Sequence, residues 1–462
     1  RYIGYVSMSR SIDLNSNQKV DIELEGDDIQ LENIVISDQA EDFNVSSIEM
    51  STAKLDMSKI SEIPTFLGEN DIIKAIQLLP GVSSVGEGAS GFNVRGGSVG
   101  QNLVLLDEAP VYNSSHLLGF LSVFNPDAVK DLKLYKGGIP SRFGGRLSSI
   151  LDIRMKDGNN KKTVVSGGIG SIFSRFTLES PIKKDKSSFI LALRRSYADI
   201  LFSPFLKNSG VFNDGSALNF YDITAKANFD LDPKNTIFVS SYIGRDVFMF
   251  DERQGFNWGN RTGTLRWNHL FNDRLFSNFT LIYSNYDYQL AFGSDDMNKF
   301  EWDSKVETYN FKPELTYFIN ANNELSLGAE VIRYRFEPAN AVGVSEGEIS
   351  DITLPSKYAF EGSFYIGNEQ KFSNLTLSYG ARYSLYSYYG PSFKYEFGAP
   401  LFLGDRKPLI SESEIIGNDR IQSYSSFEPR VSINLKISNT ASVKASYNKM
   451  TQYIHLLSNT AA

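Results

Sequence analysis

The sequence of 462 residues contains no cysteine and only three histidines, His116, His269 and His455. Without cysteine the chain has no disulfide framework, no thiolate metal site and no cysteine nucleophile. The three histidines are far apart in the sequence, so a histidine-rich metal centre is not expected. We therefore predict that the chain binds no metal and no other cofactor.

Excess positive charge and long apolar runs are also absent. The net charge is −8 and the isoelectric point is about 5.2, which argues against a nucleic-acid partner because such proteins carry a basic patch. No apolar run reaches the roughly 18 residues of a transmembrane helix. No signal peptide is visible at residue 1, and we expect the N-terminus to have been processed or cut.

Signatures of catalysis are missing as well. The sequence contains neither GxSxG nor HExxH. The run Gly167-Gly168-Ile169-Gly170 lacks the strand–helix–strand context of a dinucleotide site. We therefore expect that the chain is not an enzyme and assign no catalytic residue.

Aromatic residues are abundant, with 33 Phe and 24 Tyr. From Thr163 onward, apolar and polar residues alternate at period two, for example in residues 375–385 and 431–437. This period predicts strands with one apolar and one polar face. A soluble β-sandwich shows the same alternation, but its strands are nearer five or six residues, whereas these segments run to roughly 10–15.

The connections between these predicted strands alternate in length. Short turns are predicted at residues 183–187, 232–235, 272–273, 321–323, 373–374 and 438–440, with a tight first link at 170–171. Long polar, aromatic-rich loops are predicted near residues 198–218, 246–259, 290–302, 338–356 and 390–422. Alternating short turns and long loops are typical of outer-membrane barrels, whose strands cross with about ten residues each.

About thirteen strands are predicted between residues 163 and 455, whereas a bacterial single-chain barrel has an even number. An unpaired strand in lipid would leave backbone groups without partners. We therefore expect further strands from a continuing chain or from a second chain.

Residues 1–158, before the predicted barrel, have a different residue pattern. Residues 1–37 alternate at period two and are predicted to end a small β-domain. Residues 38–67 are polar and predicted to form an extended linker. Residues 68–158 are glycine-rich and mixed, with a predicted helix at Asp71–Leu79 that stops at Pro80-Gly81.

Residues 71–158 carry several separated motifs in one order. They read DIIKAIQLLPGV (71–82), FNVRGGSVGQNLVLLDEAPVYN (92–113) and VFNPDAVKDLKLYKGGIPSRFGGRLSSILDIRMKDG (123–158). This segment resembles the plug domain of TonB-dependent outer-membrane receptors. Residues 1–37 resemble the end of the carboxypeptidase-regulatory-like domain that precedes the plug in one branch. Residues 427–460 resemble the barrels of that branch.

The resemblance implies an all-β membrane protein. It places an N-terminal α+β plug domain, residues 68–158, inside a transmembrane β-barrel of the 22-stranded type, partly present as residues 163–462. It implies TonB-dependent active import of a ligand across the outer membrane of a Gram-negative bacterium, with the plug and N-terminal domain reaching the periplasm. The implied partners are TonB with its inner-membrane motor and outer-membrane lipids.

One motif departs from the glycan-importing branch of this family. Residues 135–156 read YKGGIPSRFGGRLSSILDIRMK, without the alanine-rich form found there. A surface lipoprotein is therefore a less secure partner, and other outer-membrane proteins stay open as partners. The alternative function is that of a plugged barrel acting as a structural or accessory subunit of a larger outer-membrane complex.

Glycines and arginines of the plug are candidates for holding it in the lumen. Glycine suits tight turns, and arginine binds carboxylates of the inner barrel wall through two hydrogen bonds. The candidates are Arg95, Arg142, Arg146, Gly96, Gly97, Gly144 and Gly145. A substrate contact is the alternative for the arginines.

Two further groups of residues are candidates for partner and ligand contacts. A strand-like segment can pair with TonB through its main chain, and the candidate is Leu31, Glu32, Asn33, Ile34, Val35, Ile36 and Ser37. The alternative is the last strand of the preceding domain. Candidates that face the ligand are Tyr112, Asn113 and His116 in the plug, and Phe248, Phe250, Phe256 and Trp258 in the barrel. The alternative for the barrel aromatics is an interfacial girdle.

Overall fold

The computed structural model describes residues 43–63, 68–86, 91–170, 172–197, 199–201, 216–251, 253–295, 297–346, 348–400, 402 and 406–455. The chain divides into two units, Arg1–Ser47 and Ile48–Ala462. The described part of the first unit contains helix α1, Phe43–Ser46. The predicted β-domain at residues 1–37, with the candidate TonB segment, lies outside the described residues.

The second unit begins with a small mixed domain, the plug. Its helices are α2 (Met57–Ser61), α3 (Ile72–Gln77) and two 3₁₀ turns (Val99–Gln101 and Leu117–Gly119). Its strands are β1 (Thr52–Asp56), β2 (Val82–Ser84), β3 (Phe92–Val94), β4 (Asn102–Leu106), β5 (Ala109–Pro110), β6 (Ser115–His116), β7 (Leu121–Ser122), β8 (Val129–Tyr135) and β9 (Ser149–Met155). The main sheet has the order β1-β8-β9-β4-β5.

The predicted helix near Asp71 is present as α3. The Asp71 carboxylate accepts a hydrogen bond from the Lys74 amide at 2.8 Å, which satisfies one of the free donors at a helix start. Ile72 and Ile76 are fully buried in the plug core. The helix is therefore fixed by an N-cap and by one apolar face.

The segment expected to be an extended linker is structured in its second half. Strand β1 pairs antiparallel with β8, and Ile60 of α2 is buried in the plug core. The sequence shows little of this because a five-residue strand at a sheet edge needs no apolar alternation. The plug sheet thus starts at Thr52, earlier than the residue 68 expected from composition.

The rest of the second unit is one large antiparallel sheet. Its path has thirteen strands, and β19 pairs beside β18. The strands are β10 (Val164–Ile169), β11 (Phe173–Lys183), β12 (Ser187–Ser196), β13 (Ala217–Asp232), β14 (Asn235–Met249), β15 (Gly255–Asn272), β16 (Leu275–Asp295), β17 (Asn298–Asn320), β18 (Asn323–Ser345), β19 (Glu348–Thr353), β20 (Lys357–Lys371), β21 (Leu375–Tyr389), β24 (Arg420–Lys436) and β25 (Ser442–Asn448). A separate hairpin is formed by β22 (Ser392–Phe397) and β23 (Leu409–Ile415). Within the described residues, the predicted number of about thirteen strands is confirmed.

The two ends of this sheet differ. The turn end carries the short connections β11–β12, β13–β14, β15–β16, β17–β18, β20–β21 and β24–β25, close to the predicted positions. At the opposite end, here called the loop end, several predicted loops are wrong because the strands continue into them. Strands β17 and β18 reach 23 residues each, since backbone pairing with the neighbouring strands continues through residues that were expected to form loops.

The apolar face of the sheet points outward. On β21, Arg382 and Ser384 are buried against the interior, whereas Tyr383 and Leu385 are exposed. A soluble β-sandwich has the reverse arrangement, and an exposed band of apolar residues requires lipid around it. The described part of the chain has no helix long and apolar enough to cross a membrane.

Candidate functional site

The plug is attached to one side of the barrel by a buried group of charges, here called the anchor cluster: His116, Glu69, Arg194, Asp222 and Asp246. His116 Nδ1 lies 2.6 Å from Asp246 Oδ2, and Nε2 lies 3.2 Å from Asp222 Oδ2. Arg194 of β12 donates to Asp222 at 2.7 Å and to Glu69 of the plug at 2.5 Å. Every member is almost completely buried, so these charges are shielded from bulk solvent.

The geometry of the anchor cluster fixes the charge of His116. Both ring nitrogens face carboxylate oxygens, so both must carry a proton to donate. Burial by itself lowers the pKa of His116, but Asp246 and Asp222 outweigh burial and raise the pKa to about 9. Burial also raises the pKa of Glu69, although Arg194 opposes it. The plug therefore contributes a cation between two barrel aspartates.

A second attachment lies at the β4–β5 turn of the plug. Glu108 accepts from Arg266 at 3.1 Å and from Lys312 at 3.3 Å, both on barrel strands. Burial raises the pKa of Glu108, but the two cations outweigh burial and lower the pKa to about 2. The neighbouring Asp107 lies 3.2 Å from Lys226 of β13. Three cations of the barrel thus bind the two carboxylates of this plug turn.

The plug arginines predicted to bind barrel carboxylates make different contacts. Arg95 donates to Ser51 at 2.6 Å within the plug, and Arg146 donates to the Gly145 carbonyl at 2.9 Å. The Arg142 guanidinium lies over the Phe143 ring, 5.0 Å from its centroid. None of the three has a salt bridge to a barrel carboxylate among the described residues.

Arginines of the barrel instead donate hydrogen bonds to backbone carbonyls of the plug. Arg430 donates to the Phe143 carbonyl at 2.7 Å and also to the Pro140 carbonyl. Arg382 donates to the Arg142 carbonyl at 3.3 Å. Sequence reasoning missed Arg382 and Arg430, although both occupy polar positions in alternating strands, which face the plug.

The predicted plug glycines are required for two reasons. Gly96 and Gly145 have φ values of +79° and +76°, which glycine adopts without strain. A Cβ at Gly97 would come within 2.4 Å of Ser148 Oγ, and one at Gly144 within 2.4 Å of Arg382 Nε. The last contact places the plug backbone directly against the barrel wall.

The ligand cavity, a space of about 610 Å³, opens between the plug and β16–β18. Its plug side includes Tyr112 and Asn113, two of the predicted ligand-facing residues. Its barrel side is rich in aromatic and apolar residues from the loop-end parts of the strands: Tyr286, Tyr288, Leu290, Trp302 and Phe336. A mostly apolar cavity with a few polar groups is the usual form of a small-molecule site.

The remaining predicted ligand-facing residues lie elsewhere. His116, predicted to face the ligand, lies instead in the buried anchor cluster. Phe248, Phe256 and Trp258 form an offset stack with ring centroids 5.3–5.8 Å apart. That stack packs with Leu117 and Leu121 of the plug. It therefore belongs neither to an outward girdle nor to the ligand cavity.

Phe250, next to this stack, is 44% exposed. Its ring centroid lies 6.4 Å from that of Phe256.

No cluster of three or more metal-ligating side chains occurs among the described residues.

The fold and this interface define a membrane β-barrel with a plug inside its lumen. The TonB-dependent receptor plug domain model matches residues 47–149, and the TonB-dependent receptor-like β-barrel model matches residues 193–451. The chain belongs to the TonB-dependent receptor family, whose members are receptors and transporters rather than enzymes. The family and the fold place it in the outer membrane of a Gram-negative bacterium. Residues 1–37 lie outside both matches, so their resemblance to a regulatory-like domain stays a prediction.

Solved structures show the same fold. The copper transporter OprC matches with a TM-score of 0.61 and 11% identity over 84% of this chain and 62% of its own. The ferric-catecholate import receptor Fiu from E. coli K12 matches with a TM-score of 0.61 and 13% identity over 88% of this chain and 70% of its own. The FrpB iron transporter from Neisseria meningitidis matches with a TM-score of 0.63 and 12% identity over 88% of this chain and 66% of its own.

The chain thus spans 62–70% of the length of these three structures. A comparison with curated protein sequences finds no match.

Proposed function

We propose that this chain binds a ligand at the loop end and imports it across the outer membrane, with energy delivered through TonB. The ligand cavity supports this function most directly. Its floor contains Tyr112 and Asn113 of the plug, and its wall consists of barrel strands. A bound molecule therefore touches both the domain that blocks the lumen and the wall that surrounds it. The loop end faces the medium and the turn end faces the periplasm.

Energy for this import has to come from a partner, because the outer membrane has no nucleotide supply. We propose that TonB, driven by its inner-membrane motor, pairs with Leu31–Ser37 as an added strand. Main-chain pairing requires free N–H groups in that segment. Proline removes such a group and resists extended pairing, whereas alanine keeps the main chain intact.

The test compares full-length Val35→Pro and Val35→Ala proteins in the native host. Mass spectrometry of spent medium identifies compounds that wild-type cells remove and cells lacking the gene leave behind. We expect Val35→Pro cells to resemble the gene deletion and Val35→Ala cells to resemble wild type. Equal depletion of all compounds in wild-type and deletion cells would exclude import. Normal import by Val35→Pro would exclude the proposed TonB segment.

A structural role in a larger outer-membrane complex is the second candidate. The hairpin β22–β23 favours it, because Phe393, Tyr395 and Phe397 lie on one face and are all exposed. Exposed aromatic rows of this kind mark protein contacts. Affinity purification with mass spectrometry tests this role. Partners lost on replacing the three aromatics by serine, but kept in Lys394→Ala on the opposite face, would support it.

A further inference from the structure

A second cavity, here called the turn-end cavity, lies between the plug and the turn-end halves of strands β13–β17. Its volume is about 260 Å³. Charged side chains dominate its lining, whereas aromatic and apolar ones dominate the ligand cavity. Six lining residues are lysine or arginine and five are aspartate or glutamate, so the lining has one positive charge in excess. It contains no member of the anchor cluster.

The charges on the β13 side of this cavity are paired. Lys226 lies 3.2 Å from Asp107 and 2.8 Å from Asp157. Asp152 of the plug lies 3.8 Å from Arg154, whose side chain is largely exposed. Every cation on this side therefore has a carboxylate beside it.

Cations outnumber carboxylates on the side of β15 and β17. Glu108 is shared by two of them, with one oxygen bound to Arg266 and the other to Lys312. Glu314 accepts from the Tyr365 hydroxyl at 3.0 Å rather than from a cation. The buried Nε of Arg266 has no hydrogen-bond partner in the described part of the chain. This side therefore has donors that the lining carboxylates do not satisfy.

Arg142 of the plug is the third cation on this side, and it has no carboxylate of its own. Its guanidinium lies 5.0 Å from the Phe143 ring centroid, and the Lys312 ammonium lies 5.6 Å from the same centroid. Arg142 is partly buried, and the described residues give its side chain no ion pair and no hydrogen bond. A guanidinium has five N–H donors, and a buried charge without an acceptor is costly.

A tetrahedral oxyanion matches these groups in charge and in shape. Guanidinium N–H groups bind phosphate oxygens in pairs. Arg142 belongs to the plug, whereas Arg266 and Lys312 belong to the barrel, so the acceptor needs oxygens that point in several directions. The two oxygens of a single carboxylate lie in one plane, and chloride has one atom. Water satisfies donors but does not neutralise the excess charge. The volume accommodates a phosphate group together with several waters.

We propose that the turn-end cavity binds a small oxyanion of the phosphate class through Arg142 of the plug and Arg266 and Lys312 of the barrel. The anion joins the two domains at a place separate from the anchor cluster. Because the site is complete only when the plug is seated, binding stabilises that arrangement. The proposal does not depend on the import function or on the ligand cavity.

Calorimetric titration of the full-length, detergent-solubilised protein with inorganic phosphate, at constant ionic strength in a chloride buffer, measures this site directly. We expect one phosphate per wild-type chain. Arg142→Gln should weaken binding at least about tenfold, because it removes charge-assisted hydrogen bonds. Arg95→Gln is the matched control, since it removes the same charge from an exposed plug position where Arg95 bonds to Ser51. That variant should bind phosphate as the wild type does.

Asn268→Asp provides a second variant if Arg142→Gln does not fold. Asn268 lines the cavity two residues after Arg266 on β15, and its buried Oδ1 has no hydrogen-bond partner among the residues that the structure describes. A carboxylate at this position neutralises the excess charge from within the protein and repels an entering anion. Phosphate binding should therefore be lost in Asn268→Asp.

The plug itself provides an independent readout. Saturating phosphate should raise the unfolding temperature of the wild-type plug by about 4 °C or more, because a ligand of the folded state shifts unfolding to higher temperature. The same addition should leave the plug transition of Arg142→Gln unchanged.

Two results would overturn the proposal. One is the absence of saturable phosphate binding to the wild type. The other is equal affinity in the wild type, Arg142→Gln and Asn268→Asp, which would assign the binding to general surface charge. A parallel titration with glycerol 3-phosphate identifies the source of the phosphate group. Tighter binding of this ester supports a site for a phosphate ester, and tighter binding of inorganic phosphate supports a site for the free ion.

Discussion

The plug residue His116 and the barrel residue Asp246 lie 130 positions apart in the chain, and their side chains meet at 2.6 Å with almost no exposure to solvent. Asp246 also accepts from the Leu117 amide at 2.8 Å. One carboxylate of β14 thus binds both the side chain and the following main-chain group of the plug. The 3₁₀ turn that begins at Leu117 is thereby fixed to the wall.

Replacing His116 by glutamine should loosen the plug strongly. Asp246 would stay buried without its cation, while Asp222 would keep Arg194, and the loss of a buried partner costs about 3–5 kcal/mol. Calorimetry of the detergent-solubilised protein should show a lower unfolding temperature for the plug, with the barrel transition unchanged. His269→Gln is the control, because the His269 ring at the turn end bonds to Asn235 and lies against Trp267 and Phe271 rather than between buried carboxylates. Equal effects of both variants would argue against a special role of His116.

Plug attachment should weaken at alkaline pH. The pKa of His116 is about 9 in the folded protein and about 6.5 in an unfolded chain. A raised pKa means that the stabilisation is complete below about pH 6.5 and is lost as the pH rises through about 9. The groups facing His116 are Asp222, Asp246 and Tyr242.

Unfolding of the plug measured between pH 6 and pH 10 checks this expectation. The wild-type transition should shift down over that window, and the His116→Gln transition should shift much less. A pH profile that is identical in both proteins would mean that another group titrates.

Gly144→Ala should disturb the contact between the plug and Arg382 of β21. The new Cβ would lie 2.4 Å from Arg382 Nε, and relieving such a clash costs about 1–3 kcal/mol. Gly362→Ala on β20 is the control, because nothing lies within 4 Å of a Cβ there. Calorimetry should show a lower unfolding temperature of the plug for Gly144→Ala than for Gly362→Ala. Equal unfolding temperatures would show that the Arg382 side chain accommodates a Cβ at this position.

Tyr288→Ala should reduce import by removing an aromatic wall of the ligand cavity. Stacking on an aromatic face contributes about 1 kcal/mol or more, so removal of the imported compound from the medium should slow by roughly fivefold. Trp267→Ala removes a larger aromatic from the exposed outer face of β15 and should leave import unchanged. Equal losses in both variants would point to barrel assembly rather than ligand contact.

Secondary structure was largely predictable because it depends on local order. Alternation in residues 375–385 predicts β21, since period two separates the two faces of any strand. Asp71 and Pro80-Gly81 similarly bound α3. The loop-end extension of β17 was missed, because the polar and aromatic composition there resembles a long loop, and the strand is defined by its pairing with β16 and β18.

The candidate site was predictable only in part. Tyr112 and Asn113 reach the ligand cavity as expected, since they follow the β5 turn of the plug. His116, three residues after Asn113, instead contacts the barrel wall. No local signal distinguishes these positions, because the partners of His116 come from β13 and β14, more than a hundred residues away.

The sequence by itself determined that this chain is a membrane barrel preceded by a plug, because alternation, turn spacing and the plug motifs are all local patterns. Only the tertiary structure decided which charges meet. Barrel cations bind plug carboxylates and carbonyls, as with Arg194 on Glu69 and Arg430 on Phe143, rather than plug arginines binding the wall. The reason is that a buried charge is stable only beside its partner, and the partner is set by how the plug is seated in the barrel.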